Sequence, residues 1–305
     1  MSAVEKREKV VQIEAELTKL CLPGLSDPIA LTNLAKQLVD SIRRVQWVQV
    51  IAAKPQSAIV ADPSNSAFDP VKASVYHKQS GNVDEACWLL FLAIHCGKHL
   101  RQGWLMLSKI YQGASATEPW SWDRITNDFD TFENWYRSNS INIDWGFGNH
   151  RKYETLKPNA PRSILKVFRT YISWAGDSHI EMFNEALNTN DGLPRETFDL
   201  LYKSMDTVTS FGRTAKFDYL CMLSKTGLLN IEPGKTYMAG STGPKAGALL
   251  LFEPQPGVNA SNKALESLLI EMESKLSLGS LGMQVLEDAI CNWQKHPKRY
   301  KLFRG

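Results

Sequence analysis

The sequence lacks both the long apolar runs that cross membranes and the cysteine pairs that build disulfide frameworks. No apolar stretch reaches the roughly 18–20 residues that a bilayer-spanning helix needs. Residues 1–10 are charged and contain no apolar segment typical of a secretory signal. The five cysteines form no C-x-x-C pair, and their odd number favours free thiols. These absences predict a cytoplasmic protein with no membrane partner.

Several catalytic signatures are also missing. The chain has no P-loop, no dinucleotide-binding glycine fingerprint, no G-x-S-x-G elbow and no zinc-protease or zinc-deaminase motif. His95, Cys96 and His99 come nearest to a metal cluster, but they follow an apolar run in which buried thiols and imidazoles are the commoner explanation. The sequence therefore predicts neither a metal site nor a cofactor.

Apolar residues recur at helical spacing through most of the chain, and strand signals are few. Two short β-branched runs, 48–53 and 58–61, are weak strand candidates, and residues 54–82 have the composition of a loop. The fold class is therefore predicted to be mainly α. We expect an N-terminal helical region with its loop at 1–82 and a larger helical region at 83–305, which can also form one continuous domain. Helices are predicted at 6–22, 28–45, 83–96, 101–111, 128–138, 162–175, 177–188, 195–209, 213–226, 261–276 and 281–294, with a short one ending near 252.

Residues 240–247, with the sequence GSTGPKAG, predict a phosphate-binding turn. Its three glycines let main-chain N–H groups face outward and let a ligand approach closely. Pro244 begins a helix, and the partial positive charge at that helix N-terminus adds to the charge of Lys245. A plain connection between helices is the alternative. The predicted phosphate contacts are Gly240, Ser241, Thr242, Gly243 and Lys245.

Residues 145–153 combine aromatic, glycine and cationic side chains. Arg151 and Lys152 can clamp a phosphate, and His150 can carry a proton near neutral pH. Trp145 and Phe147 can stack on a base that has left a duplex. A loop held by aromatic packing, with a solvated basic face, is the alternative.

Residues 211–219 bring Arg213 and Lys216 close to a single acid, Asp218. An ion pair between Asp218 and one of the two cations is the structural explanation. Asp218 can instead serve as a general base or hold an amine.

Positive charge is concentrated in two stretches, although the net charge is only +3. Residues 149–170 contain six cations and one acid, and residues 289–305 contain no acid. Such stretches can bind a polyanion, with Lys298 and Arg299 as contacts in the second. A solvated surface with a basic tail explains them equally well.

Taken in order, these segments resemble the α-glutamyl/putrescinyl thymine pyrophosphorylases, phage enzymes also described as amino acid:DNA transferases. The resemblance rests on residues 148–153, 212–213 with 217–220, 237–248, and the closing LEDAICNW at 286–293. It covers roughly residues 120–295 and leaves the N-terminal third without a counterpart.

The resemblance implies a helical, DNA-glycosylase-like fold in which the 240–247 turn is the hairpin of a helix-hairpin-helix motif. It also implies that the region 83–305 is catalytic and binds DNA. A partner kinase phosphorylates a hydroxymethyluracil base in double-stranded DNA, and the transferase replaces the phosphate or pyrophosphate with an amino acid or polyamine. The related kinases join a similar helical region to a P-loop domain, and the missing P-loop therefore favours the transferase.

The implied chemistry assigns roles to the candidate residues. The cations for the leaving phosphate are Arg151, Lys152, Arg213 and Lys245, while His150 or Asp218 takes a proton from the amine and Trp145 or Phe147 contacts the flipped base. One departure is that residues 262–273 contain glutamates and no aspartate, whereas glycosylases of this fold carry an Asp there. A base-excision glycosylase and a non-catalytic DNA-binding protein remain the alternatives.

Overall fold

The computed structural model describes residues 1–114, 118–140, 146–252 and 260–303, and within these ranges it leaves out the side chain of Asn149. The described residues contain fourteen helices and no strand, which confirms the mainly α class. The helices are α1 Ala3–Lys19, α2 Pro28–Ala53, α3 Pro70–Gln79, α4 Val83–Cys96, α5 Leu105–Gln112, α6 Trp122–Asn127, α7 Phe129–Asn139, α8 Ile164–Ala175, α9 His179–Thr189, α10 Pro194–Ser204, α11 Arg213–Lys225, α12 Gly243–Phe252, α13 Asn262–Ser274 and α14 Gly282–Trp293.

The strand candidates and the long loop predicted from the sequence are wrong. Residues 48–53 continue α2, and Ala58–Val60 form a 3-10 turn. The 54–82 loop contains α3, whose Asp69 side chain accepts from the N–H groups of Val71 and Lys72, both at 3.1 Å. Asp69 followed by Pro70 is the same capping signal that begins α2 at Asp27 and Pro28, so the sequence did carry the evidence for α3.

The chain forms two compact units whose boundaries differ from a division at residue 82. The first unit comprises Met1–Gln49 and Glu232–Gly305, and the second comprises Val50–Ile231. The first unit thus joins the two ends of the chain, because the apolar faces of α1 and α2 pack into one core with those of α12, α13 and α14. None of the described helices has the length and apolar character needed to cross a membrane.

The core of the second unit is aromatic and is centred on α4. This helix is apolar on nearly every side and is buried from Glu85 to Ala93. Phe91 stacks on Tyr171 with ring centroids 3.6 Å apart and on Phe211 at 4.9 Å. These contacts hold α8 and the start of α11 against α4, and α11 carries the candidate residues Arg213 and Asp218.

A chain of buried hydrogen bonds fixes α11 further. Burial lowers the pKa of His179, so its ring is neutral, and Nδ1–H donates to Asp84 Oδ1 at 2.8 Å. The other ring nitrogen then accepts from the Tyr171 hydroxyl at 2.7 Å, and Tyr171 in turn pairs with the Tyr219 hydroxyl at 2.7 Å. Because Tyr219 follows Asp218 directly, this network sets the orientation of the helix that carries the carboxylate.

A buried carboxylate lies at the start of α4. Glu85 accepts from the Tyr111 hydroxyl at 2.5 Å and from the Trp122 N–H at 2.6 Å, and it is 2% exposed. Burial raises the pKa of Glu85 from 4.5 to about 7, and the nearby Asp123 acts in the same direction. The folded protein therefore binds a proton at this site more tightly than the unfolded chain does.

We expect this proton to make stability depend on pH. The contribution of Glu85 is fully present below about pH 4.5 and is lost as pH rises towards 7, because ionised Glu85 is disfavoured only in the folded state. Between about pH 5 and pH 8, wild type should lose roughly 2–3 kcal/mol of unfolding free energy relative to Glu85→Gln. Urea unfolding of both proteins at each pH measures this difference. Parallel stability curves for the two proteins would show that Glu85 titrates normally.

Candidate active site

The segment 146–152 docks on the C-terminal end of α4 through two glycines. The Gly148 N–H donates to the Cys96 carbonyl at 2.9 Å. A Cβ on Gly148 would lie 2.8 Å from the carbonyl carbon of Gly97, which ends α4 with φ of +65°. Only glycine at position 148 permits this approach of two backbones. The close contact therefore places residues 149–152 directly beside the last turn of α4.

Arg151 lies buried at this junction and is 9% exposed. Its Nε donates to the Ile94 carbonyl at 2.8 Å, one of the carbonyls that the end of α4 leaves without a helical partner. Its guanidinium lies 5.8 Å from the Phe211 ring centroid, and within the described ranges it forms no ion pair. Burial lowers the pKa of Arg151, whereas Asp218 and Glu154 raise it. Arg151 thus stabilises the end of α4 and keeps a positive charge near Asp218.

The carboxylate of Asp218 lies among cations without being paired to one of them. Burial raises its pKa, while Arg151, Lys225, His150 and Arg213 act in the opposite direction, with the largest effect from Arg151. Lys216, one of the two partners considered from the sequence, forms its ion pair with Asp206 instead. In the described part of the chain no ion pair or hydrogen bond engages the Asp218 carboxylate. A carboxylate in this state can accept a proton or hold a cationic group.

The aromatic and basic neighbours of this site differ in exposure. The ring of Phe147 meets the buried ring of His95 edge-on at 5.7 Å, which favours packing over base stacking. His150 and Lys152 are exposed, and the Lys152 ammonium lies 5.0 Å over the ring of Tyr153. Tyr153 is 77% exposed, so it is an aromatic of this segment that a base can reach. Trp145 lies outside the described residues.

The basic stretch 149–170 does not form a uniform cationic surface. Arg162 pairs with Glu154 at 2.5 Å, and Arg169 pairs with Glu133 at 2.7 Å. Arg162 and Arg169 thus form ion pairs within the protein, and the buried Arg151 donates a hydrogen bond to the backbone. The exposed lysines of the stretch, Lys152, Lys157 and Lys166, retain solvated ammonium groups.

In the first unit, two of the three glycines of the 240–247 turn serve helix packing. A Cβ on Gly247 would lie 2.5 Å from the Ile290 carbonyl oxygen, and one on Gly243 would lie 2.5 Å from Cys291 Sγ. Both glycines therefore face α14 and let α12 approach it closely. Gly240 differs, because its φ is +76° and no atom lies within 4 Å of a Cβ built there. The structure thus gives Gly243 and Gly247 a packing role that the sequence did not indicate, and the predicted phosphate contact of the turn stays a prediction.

The N-terminus of α12 keeps the features of an anion site. Thr242 is exposed, Lys245 is partly exposed, and the helix begins at Gly243. Ser241 is tied into the turn, since its N–H donates to the Met238 carbonyl at 2.8 Å. Glu266 holds the residues that precede the turn by accepting from the N–H groups of Thr236 at 2.8 Å and Met238 at 2.5 Å.

Residues 228–239, which lead into the turn, form no helix. A helix-hairpin-helix motif requires a helix on each side of its hairpin, so this detail of the predicted architecture is not confirmed. Glu266, one of the glutamates of residues 262–273, has a structural role in fixing the entry to the turn.

The basic C-terminal tail of the first unit lies along α2. The Gln37 side-chain amide donates to the Lys301 carbonyl at 2.8 Å, and Asn33 donates to the Pro297 carbonyl at 2.8 Å. Lys298 forms an exposed pair with Asp27 at 3.3 Å, and Arg299 is exposed. Both predicted phosphate contacts of the tail are therefore accessible to solvent, although Lys298 has an acidic neighbour.

The structure adds residues that the sequence arguments missed. Lys225 influences Asp218 from two turns further along α11, a spacing of seven that places both on one helix face. Gly97 and Ile94 receive the 146–152 segment, a contact that no local pattern signals. Among the described residues, no group of three His, Cys, Asp or Glu side chains is arranged to hold a metal ion.

Comparison with known proteins adds one finding. Searches against curated proteins and against solved structures gave no match to the chain. A family model named alpha-glutamyl/putrescinyl thymine pyrophosphorylase clade 3 matches residues 29–305, which extends the similarity to residues 29–119, a part of the chain that the sequence resemblance left unassigned. The matched region contains every described residue of the candidate site. The chain therefore belongs to the alpha-glutamyl/putrescinyl thymine pyrophosphorylase family, clade 3.

Proposed function

We propose that the protein is a DNA-modifying transferase that replaces the phosphate or pyrophosphate on a 5-hydroxymethyluracil base with an amine. The observation that carries this proposal is the environment of Asp218. A carboxylate with a raised pKa, unpaired within the described residues, lies near Arg151, His150 and Arg213. The reaction needs this combination, since it requires a proton acceptor for the amine and positive charge for a leaving phosphate.

The bond changes follow from the substrates. The C–O bond between the base methylene and the leaving group breaks, and its electron pair goes to the phosphate oxygen. The uracil ring assists this departure by delocalising charge, which leaves an electrophilic methylene. The amine nitrogen then forms a C–N bond with that methylene and loses a proton. Asp218 is assigned as the acceptor of this proton, and His150 is the exposed alternative.

We assign the candidate cations to two different phosphate groups, the leaving group on the base and the DNA backbone. Arg151, Arg213 and Lys152 are assigned to the leaving phosphate or pyrophosphate, because Arg151 and Arg213 act on the same carboxylate and Lys152 is adjacent in sequence. The N-terminus of α12 with Lys245 is assigned to the DNA backbone, and the exposed Lys298 and Arg299 extend the cationic surface of their unit. Base contact is assigned to Tyr153, because Phe147 packs against His95.

The substrate has to be prepared by another enzyme, because a hydroxyl group leaves poorly unless it is phosphorylated. A kinase acting on hydroxymethyluracil in DNA is therefore the functional partner we propose. The co-substrate is an amino acid or a polyamine. The place of action is a cytoplasm, that of the host if the chain is encoded by a bacteriophage.

Nucleoside mass analysis tests the proposed function. The protein is incubated with double-stranded DNA that carries phosphorylated or pyrophosphorylated hydroxymethyluracil and with a mixture of amines, and the DNA is digested to nucleosides. We expect a nucleoside whose mass equals thymidine plus the amine less two hydrogens, together with released phosphate or pyrophosphate. Leaving out the amines is the control, and this should abolish the new nucleoside.

Two other outcomes would overturn the proposal. Abasic sites without a mass gain would identify a base-excision glycosylase. DNA binding without turnover under any amine would identify a non-catalytic DNA-binding protein.

A further inference from the structure

A short turn after α4 is closed by two backbone hydrogen bonds. His99 N–H donates to the Gly103 carbonyl and Gly103 N–H donates to the His99 carbonyl, both at 2.9 Å. Gln102 N–H also donates to His99 Nδ1 at 3.1 Å, and Gly103 has φ of +58°. These bonds hold residues 99–103 as a defined turn with Leu100 next to its tip. Because the backbone of such a turn is already ordered, holding a side chain outward on it loses little further conformational entropy.

Leu100 is 81% exposed, which is the highest value among the large hydrophobic side chains of the described residues. A single exposed leucine is common on protein surfaces and means little by itself. Leu100 differs because the residues around it are cationic. Lys98 and Arg101 flank it and are both exposed. An apolar tip between cations matches the device by which proteins insert a side chain between base pairs while contacting the flanking phosphates.

A cationic cleft adjoins the turn. It has a volume of about 520 Å³ and includes the side chains of Lys72, Lys98 and Lys109 together with Trp104. Its acid, Asp69, is committed to capping α3 and to accepting from Trp104 Nε1 at 3.3 Å. The cleft therefore has an excess of positive charge, as a track for DNA phosphates requires.

The turn is also joined to the candidate active site. The Gln102 side-chain oxygen accepts from the Gly146 N–H at 3.2 Å, and a Cβ on Gly146 would lie 3.1 Å from the His99 ring. Gly146 begins the segment 146–152 that carries His150 and Arg151. The position of Leu100 is thereby coupled through rigid contacts to the residues that would act on the base.

We propose that Leu100 is a wedge that enters the base stack of duplex DNA and fills the space of the flipped target base, while Lys98 and Arg101 contact the phosphates on either side. This assignment rests on the proposed function. A base held inside a duplex cannot reach a half-buried side chain such as Asp218, and extrusion leaves a gap that an apolar side chain stabilises. The leucine side chain supplies that bulk without needing a hydrogen-bond partner.

Comparing duplex and single-stranded substrates tests the wedge. In single-stranded DNA the base is already accessible, so Leu100→Ala should lower the transfer rate by at least about tenfold on the duplex and less than about twofold on the single strand. The fluorescence of 2-aminopurine placed beside the target gives a readout that does not need turnover. Wild type should raise this fluorescence in the duplex, and Leu100→Ala should not. Leu193→Ala, at another exposed leucine of the same unit, is the matched control and should behave as wild type.

The outcomes separate the wedge from the transferase function. If Leu100→Ala keeps both the duplex rate and the fluorescence change, the wedge assignment is wrong while the transferase remains. Equal rate losses on both substrates would also overturn it, because they indicate a role other than opening the duplex. If wild type transfers no amine to either substrate, the proposed function fails, and the fluorescence change alone then decides whether Leu100 opens the duplex.

Discussion

Replacing Asp218 with asparagine is expected to lower the rate of amine transfer by roughly 10²–10⁴-fold, the usual contribution of a positioned general base. Asparagine has nearly the same shape but cannot accept the proton of the incoming amine. The raised pKa of Asp218 favours this role, because a base is most effective when its pKa lies closer to the working pH. The wild-type rate should rise with pH as Asp218 loses its proton, and the variant should lose this rise. Steady-state rates over a pH series, at saturating DNA and amine, measure both effects.

The kinetic constants distinguish a base from an amine-holding group. Loss of a base lowers kcat at any amine concentration, whereas loss of an ammonium contact raises the KM for the amine. Asp177→Asn, at an exposed acid between α8 and α9, is the matched control and should keep the wild-type rate. An Asp218→Asn protein with wild-type kcat and an unchanged pH profile would exclude Asp218 as the base and direct attention to His150.

Replacing Gly247 with alanine is expected to reduce the free energy of unfolding by about 3 kcal/mol, the upper range for forcing extra atoms into a packed contact. The added Cβ would lie 2.5 Å from the Ile290 carbonyl oxygen and 2.9 Å from the Ile290 carbonyl carbon. Backbone atoms inside α14 cannot move aside, so the two helices must separate. Urea unfolding, followed by circular dichroism, measures the loss.

Gly240→Ala is the matched control for this prediction. It introduces the same methyl group into the same turn, but into open space, and only the left-handed φ of +76° is strained. We expect a loss of about 1 kcal/mol. If Gly247→Ala keeps wild-type stability and loses DNA affinity instead, the glycine serves ligand approach and the packing explanation is wrong.

Most helices of this protein were predictable because local patterns determine them. The apolar repeat of α14 and the cap and proline that begin α2 are present in a few neighbouring residues. The two wrong predictions of secondary structure also concern short segments of the chain. The β-branched run at 48–53 continues a long helix beyond its last buried residue, Val45, so its weak strand preference did not decide its structure, and the capping pair at Asp69 and Pro70 lies in a polar stretch.

The candidate site was predictable only in part. Residue types made Arg151, Arg213 and Asp218 candidates for phosphate and proton chemistry, with a structural ion pair as the alternative for Asp218, and their catalytic roles stay predictions. The ion-pair partner of each charged side chain was not predictable, because an ion pair depends on distances between segments far apart in the chain. Lys216 forms its ion pair with Asp206, and the Nε of Arg151 donates to the Ile94 carbonyl. Neither side chain therefore pairs with the Asp218 carboxylate.

The sequence alone determined the helical class, the family and the residue types available for phosphate and proton chemistry, because these depend on composition and on short motifs. The tertiary structure decided which of those residues remain available. It packed Phe147 against His95, turned Gly243 and Gly247 towards α14, and exposed Leu100 on a closed turn beside the site. The positions of Phe147 and of the two glycines depend on close approaches between segments that are distant in the chain, and no local pattern encodes such contacts.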